Sequence, residues 1–190
     1  LGERRLDGLG CTYIITGSRH NAMRAIFAKS TMFRGTIENF TVPSAEDGEI
    51  AEYITKGLLL TGKVIEKDAA LGVAKMFSCN MWYINQFVSI CESMTKGYIT
   101  NALLMDALAM LLSVHEPRFK TAMSNLTWHQ VSFLQAVIDG VTRFTSADVI
   151  RKYRLNSSAN VVRVKEALMK KELISFNEQD EPVILDVLFK

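Results

Sequence analysis

The sequence contains few cysteines and histidines, three of each among 190 residues. The cysteines, Cys11, Cys79 and Cys91, are odd in number and widely spread. If Cys79 and Cys91 share a helix, the rise along it puts them far beyond disulfide reach. We therefore predict reduced thiols and a cytoplasmic protein. The histidines show no metal-ligand spacing among themselves or with the cysteines, so we predict no metal site.

Long apolar runs are also missing from the sequence. No uninterrupted apolar stretch reaches ~18 residues, which argues against a membrane span. The first ten residues lack the apolar region of a signal peptide. They also lack an initiator Met, so we expect a fragment of a longer protein. The net charge of +2 does not indicate any class of binding partner. The hydrophobic content of 48% supports a packed core.

Helical patterns dominate what is present, and they predict a mainly α protein. Ser44 is predicted to cap a helix that ends at Gly62. Three more helices are predicted at about 66–78, 81–95 and 100–115, and Pro117 is expected to break or kink the chain after the last one. Four helices joined by short loops indicate an all-α bundle over 44–124.

A different pattern follows over 125–190. Three helical segments begin near Thr127, Ser146 and Ser157, and two short apolar strands flank the turn at 177–181. The order helix, helix, helix, hairpin predicts a winged helix. The run SSANVVRVKEALMKKELI strongly resembles the third helix of that fold leading into its first wing strand.

Near the start of the chain, a short apolar run at 13–15 ends in the polar tip TGSR, and a helical pattern follows. We predict a strand buried on both faces, then a helix, and a second strand at 37–42 that Pro43 ends. In open α/β sheets, ligands bind beyond the carboxyl ends of strands, which is where Ser18 and Arg19 lie.

This arrangement resembles the second half of a P-loop ATPase of the AAA+/STAND class. The resemblance implies that 1–43 is the remnant of an α/β nucleotide-binding core and that 44–124 is the helical lid. It implies ATP and Mg²⁺ as ligands of the full-length protein, and homo-oligomers as a possibility. Ser18 and Arg19 match the sensor 1 position, and Arg34 matches an arginine finger. The alternatives are that Ser18 caps the following helix and that both arginines are solvated.

The chain contains no GxxxxGK[ST] phosphate loop. Without that loop's backbone donors and lysine, we expect this chain alone to bind no cofactor in the P-loop manner. The resemblance implies that the loop and the Mg²⁺-binding strand precede this sequence.

The winged helix offers the candidate nucleic-acid contacts. Ser158, Asn160, Arg163 and Lys170 are predicted on the outer side of the third helix. Other basic residues lie nearby: Arg151, Lys152, Arg154, Lys165 and Lys171. Glu166 shares the outer side and the wing tip is acidic, and phosphates would be repelled there. Both DNA binding and protein docking therefore remain open for this domain. The alternative to an ATPase is a winged-helix DNA-binding or regulatory module with a helical dimerisation domain and no enzymatic activity.

Overall fold

The computed structural model describes residues 14–17, 19–29, 38, 43–177 and 181–190. These residues divide into two compact units. The helical unit contains 43–126 and 186–190, and the C-terminal unit contains 127–185 together with the described residues before 39. Eight helices and four short strands occur within the described residues, which confirms the mainly helical fold class.

Four helices and one pair of two-residue strands form the helical unit. They are α2 (Asp47–Leu60), β1 (Val64–Ile65), α3 (Lys67–Met76), α4 (Met81–Met94), β2 (Tyr98–Ile99) and α5 (Asn101–Ser124). The strands pair in parallel, Ile65 opposite Ile99. Buried apolar residues from all four helices make one core, with Ile54, Phe77, Ile84, Phe87 and Leu111 near its centre.

Caps explain where these helices begin. The Asn80 side chain accepts hydrogen bonds from the backbone N–H groups of Trp82 and Tyr83, which starts α4. At α2 the cap is Glu46 rather than the predicted Ser44, and the Glu49 carboxylate accepts the Glu46 N–H at 3.0 Å. The glutamate pair satisfies the helix start two residues later than expected.

The last helix of this unit differs most from its prediction. Pro117 was expected to end or kink it near His115, but α5 continues through Pro117 to Ser124. Contacts made beyond the proline account for the continuation. Arg118 donates to the Asp186 carboxylate at 2.8 Å, and Phe119 packs against Phe189 with ring centroids 5.4 Å apart.

Three further helices and a hairpin form the body of the C-terminal unit. They are α6 (Trp128–Ile138), α7 (Ala147–Lys152), α8 (Ser158–Lys170), β3 (Ile174–Phe176) and β4 (Pro182–Ile184). The strands pair antiparallel, with Ser175 opposite Val183. The core includes Phe133 stacked on Phe144 at 4.5 Å, together with the buried side chains of Leu155 and Leu168.

The segment before this unit also contributes a helix, α1 (His20–Lys29). The Glu172 carboxylate accepts the backbone N–H groups of Asn21 and Ala22, each at 3.0 Å. The Asn21 amide in turn donates to the carbonyls of Met169 and Ile174. These bonds attach the start of α1 to the turn between α8 and β3.

The strand predicted ahead of α1 is wrong in its described part. Ile14 is 89% exposed, Ile15 is also exposed, and neither belongs to a strand. A strand buried on both faces needs elements packed above and below it, and the exposure of Ile14 and Ile15 shows that the described residues supply no such cover. The second predicted strand lies outside the described residues except for Glu38, which is exposed.

Candidate nucleic-acid interface

The site is built on α8, whose start is fixed by a serine cap. The Ser157 side chain accepts the Asn160 backbone N–H at 3.2 Å. Val161, Val164 and Leu168 recur at helical spacing and are buried against the core. Because one side of the helix is anchored in this way, the side chains on the opposite face point to solvent.

Three of the four predicted contact residues lie on the exposed face. Ser158, Arg163 and Lys170 are exposed, as predicted for groups that meet a ligand. Asn160 is different: it is half-buried, and its amide donates to the Leu155 carbonyl at 3.0 Å. That bond holds the turn before α8, and the assignment of Asn160 as a nucleic-acid contact stays a prediction.

A shallow basic groove adjoins the start of α8. Its volume is about 640 Å³. The groove is lined by His129, Ala147, Ile150, Arg151, Arg154, Asn156 and Ser157. It therefore joins the start of α6 to α7 and the turn into α8.

Backbone conformation and a buried tyrosine shape this groove. Arg154 and Asn156 both have positive φ, 53° and 70°, and so turn the chain sharply between α7 and α8. Tyr153 donates to the Asp139 carboxylate at 2.7 Å, which holds the end of α7 to the end of α6. That bond, followed by one from Gln135, lowers the pKa of Asp139.

The charges around the groove are predominantly basic at its α7 side. Arg151 and Arg154 are exposed there, and Arg151 pairs with Asp148 across 2.8 Å at the surface. An exposed pair of this kind is weak and leaves the guanidinium accessible. Glu166 lies two turns into α8 and Glu181 lies at the wing, both exposed. Asp148 is therefore an acidic group at the groove, whereas Glu166 and Glu181 lie at the far half of α8 and at the wing.

Apolar side chains complete the exposed face near the groove. Ala159 and Val162 are exposed in the first turns of α8, on the same side as Arg163. Short apolar groups beside an arginine suit base edges, because they can contact a thymine methyl while the guanidinium binds guanine or phosphate.

The predicted ATPase residues do not form a described site. Ser18 and Arg34 lie outside the described residues. Arg19 is exposed, and its carbonyl accepts the Met23 N–H at 2.9 Å at the start of α1. The assignments of sensor 1 and the arginine finger therefore stay predictions.

Comparison with known proteins supports one part of this description. A family model described as a probable winged helix domain matches residues 117–190. The C-terminal part of the chain is a winged helix domain. No curated protein and no solved structure matches the chain.

The winged helix was predicted from sequence, but the groove beside it was not. The sequence marked Arg151 and Arg154 as basic residues near the third helix, but no sequence pattern indicated that His129 lies beside them. Within the part of the chain that the structure describes, no cluster of three His, Cys, Asp or Glu side chains could hold a metal. None of the described helices is both long enough and apolar enough to cross a membrane.

Proposed function

We propose that the winged helix binds double-stranded DNA through the groove between α7 and α8 and through the first turns of α8. The observation that carries the proposal is the clustering of Arg151, Arg154 and His129 next to the exposed start of α8. A phosphate lying in the groove would meet two guanidinium groups and the Ser157 hydroxyl. Phosphate contacts of this kind fix the position of a protein on a duplex.

The exposed face of α8 would then read the major groove. Arg163 and Val162 project from its first half and carry the donor and apolar groups that base edges match. Glu166 would oppose phosphates deeper along the helix, so we place the contact at the N-terminal half of α8. Because α1 is attached at the opposite end, near Met169 and Glu172, it leaves this half open.

The experiment is a fluorescence-anisotropy titration of a labelled duplex across a salt series. Arg151→Gln and Arg154→Gln should each weaken binding roughly tenfold, since each removes a charged hydrogen bond to phosphate. Each should also reduce the salt slope by about 0.9, the value for one lost phosphate contact on B-DNA. Arg163→Ala should weaken binding as well.

Lys56→Gln is the matched control. Lys56 is exposed and paired with a nearby carboxylate, as Arg151 is, but it lies on α2. Its loss should leave both the affinity and the salt slope unchanged. A wild-type chain that binds no duplex at low salt would contradict the proposal and favour the alternative, a winged helix that docks on another protein.

We also propose, from the resemblance and the order of elements, that this chain is part of an ATP-dependent switch. A four-helix unit followed by a winged helix is the order expected for the lid and C-terminal domain of such an ATPase. ATP and Mg²⁺ would bind in a longer protein that carries a phosphate loop. There Ser18 and Arg19 would act at the strand tip, and Arg34 would act across a subunit interface.

Arg19→Ala tests this second proposal in that longer protein. Sensor groups stabilise charge that develops in the transition state, so the change should lower kcat by ~10²-fold and raise KM much less. Unchanged ATP turnover would leave Arg19 as a solvated residue at the start of α1, and a longer protein without a phosphate loop would end the proposal.

A further inference from the structure

Apolar side chains lie along one exposed side of α5. Met105 is 66% exposed and Leu112 is 42% exposed, and Met123 further along the helix is exposed as well. Large exposed apolar side chains on one side of a helix are typical of interaction surfaces. The helix therefore has more apolar surface than the helical unit itself covers.

The spacing of this row is that of a coiled-coil seam. The α5 seam consists of Met105, Ala109, Leu112, Glu116, Phe119 and Met123. The intervals alternate four and three residues, and at 100° per residue all six fall within about 80° of the helix circumference. A repeat of 3.5 residues fits a second helix lying alongside.

Charges beside the seam indicate which helix would pack against it. Asp106 and Lys120 flank the seam on the same side, one near each end, and both are exposed. When two copies of α5 pack antiparallel about a twofold axis near Val114, Asp106 of each copy lies close to Lys120 of the other. The same register stacks Met105 on Met123 and Ala109 on Phe119, and it places Leu112 against Glu116. The seam thus meets its own copy with apolar side chains in four of its six layers and with opposite charges beside it.

We propose that the α5 seam is a homodimer interface in which α5 of one chain packs antiparallel on α5 of a second copy. Glu116 is the one polar seam residue, and its carboxylate pairs with Lys120 at 2.8 Å. Such a residue sets the register of a coiled coil at a cost in stability. Phe119 is held in place by Phe189, so part of the seam is ordered before association.

Sedimentation equilibrium of the whole chain tests the interface. The wild type should dimerise, and Leu112→Lys should raise the dimer dissociation constant by about 30-fold, as expected of a central interface residue. Met110→Lys is the matched control, because Met110 is 50% exposed on the other side of the same helix. It should leave the dissociation constant unchanged. Glu116→Leu should lower it.

Charge reversal tests the antiparallel register. Asp106→Lys and Lys120→Asp should each weaken the homodimer, because both pairs then carry like charges. Mixing the two variants should restore dimers as heterodimers, in which both pairs are again opposite in charge. Any repulsion between the introduced carboxylate and Glu116 within a chain is the same before and after mixing. A monomeric wild type, an equal loss in Met110→Lys, or no preference for heterodimers would overturn the proposal.

Discussion

At the residue scale, three polar side chains attach the end of the chain to the helical unit. Tyr83 donates to Asp186 at 2.6 Å, and Arg118 donates to both the Tyr83 hydroxyl and the Asp186 carboxylate. Burial, followed by the hydrogen bond to Asp186, raises the pKa of Tyr83 to about 12. Ionising this phenol would place two negative charges side by side, so the attachment depends on a protonated tyrosine.

The stability of the helical unit should therefore fall at high pH. The folded-state pKa of Tyr83 lies above the ordinary tyrosine value of 10.0. The contribution of Tyr83 to the free energy of unfolding is therefore fully present below about pH 10 and is lost by about pH 12. Tyr83→Phe should flatten this part of the pH profile of the free energy of unfolding, measured in urea. Tyr98 is exposed, so Tyr98→Phe is the control. If Tyr98→Phe flattened the pH profile as much as Tyr83→Phe, the loss of stability could not be assigned to Tyr83.

Residue types alone could not separate structural from functional polar groups in α8. Ser158 and Asn160 both suit a DNA-reading helix, and both stand near its start. The folded chain uses the Asn160 amide to hold the Leu155 carbonyl, whereas Ser158 remains exposed. That difference depends on the turn at Arg154 and Asn156, whose positive φ angles no spacing rule predicts.

At the element scale, two side chains attach α1 to the winged helix: Glu172 caps the start of α1, and Asn21 bonds to the backbone on either side of the turn between α8 and β3. Asn21 donates to Ile174 at 2.7 Å and to Met169 at 3.0 Å, while the Glu172 carboxylate binds the first N–H groups of α1. A carboxylate at a helix N-terminus is favourable through both hydrogen bonds and the helix dipole. These bonds fix the position of α1 at its start, whereas Ile26 further along the helix is exposed.

Asn21→Ala should detach the start of α1 from the winged helix. The change leaves two partly buried carbonyls without this donor, which costs about 1–3 kcal/mol. Hydrogen exchange of α1 should quicken, and the urea midpoint of the winged helix should fall. Asn101→Ala, at the exposed start of α5, is the control. If exchange in α1 were as slow in Asn21→Ala as in the wild type, the bridge would not hold the helix.

The long helix α5 shows why a rule based on residue type alone failed to predict its length. Pro117 lacks the backbone N–H that would bond to the Ser113 carbonyl, and its presence therefore predicts a break in the helix. The residues after it nevertheless continue the helix, because Arg118 and Phe119 gain an ion pair and a ring contact there. Cap residues were more reliable, since Thr127, Ser146 and Ser157 each accept a backbone N–H where a helix was expected to start.

At the scale of the whole molecule, the two units are assembled from separated parts of the sequence. The C-terminal tail, 186–190, belongs to the helical unit, and α1 belongs with the winged helix. Helix periodicity predicted the bundle and the winged helix because both are made of local elements. It could not predict contacts between Asn21 and Glu172 or between Tyr83 and Asp186, which join residues more than 100 positions apart.

The central claim, that the α7–α8 groove and the start of α8 bind duplex DNA, is tested most directly by hydrogen exchange with and without a duplex. Protection should concentrate at 147–163 and spare α3 and α4, whatever the DNA sequence. Arg154→Gln should reduce that protection at equal DNA concentration. Protection confined to the wing or to the helical unit, or no protection at low salt, would contradict the claim.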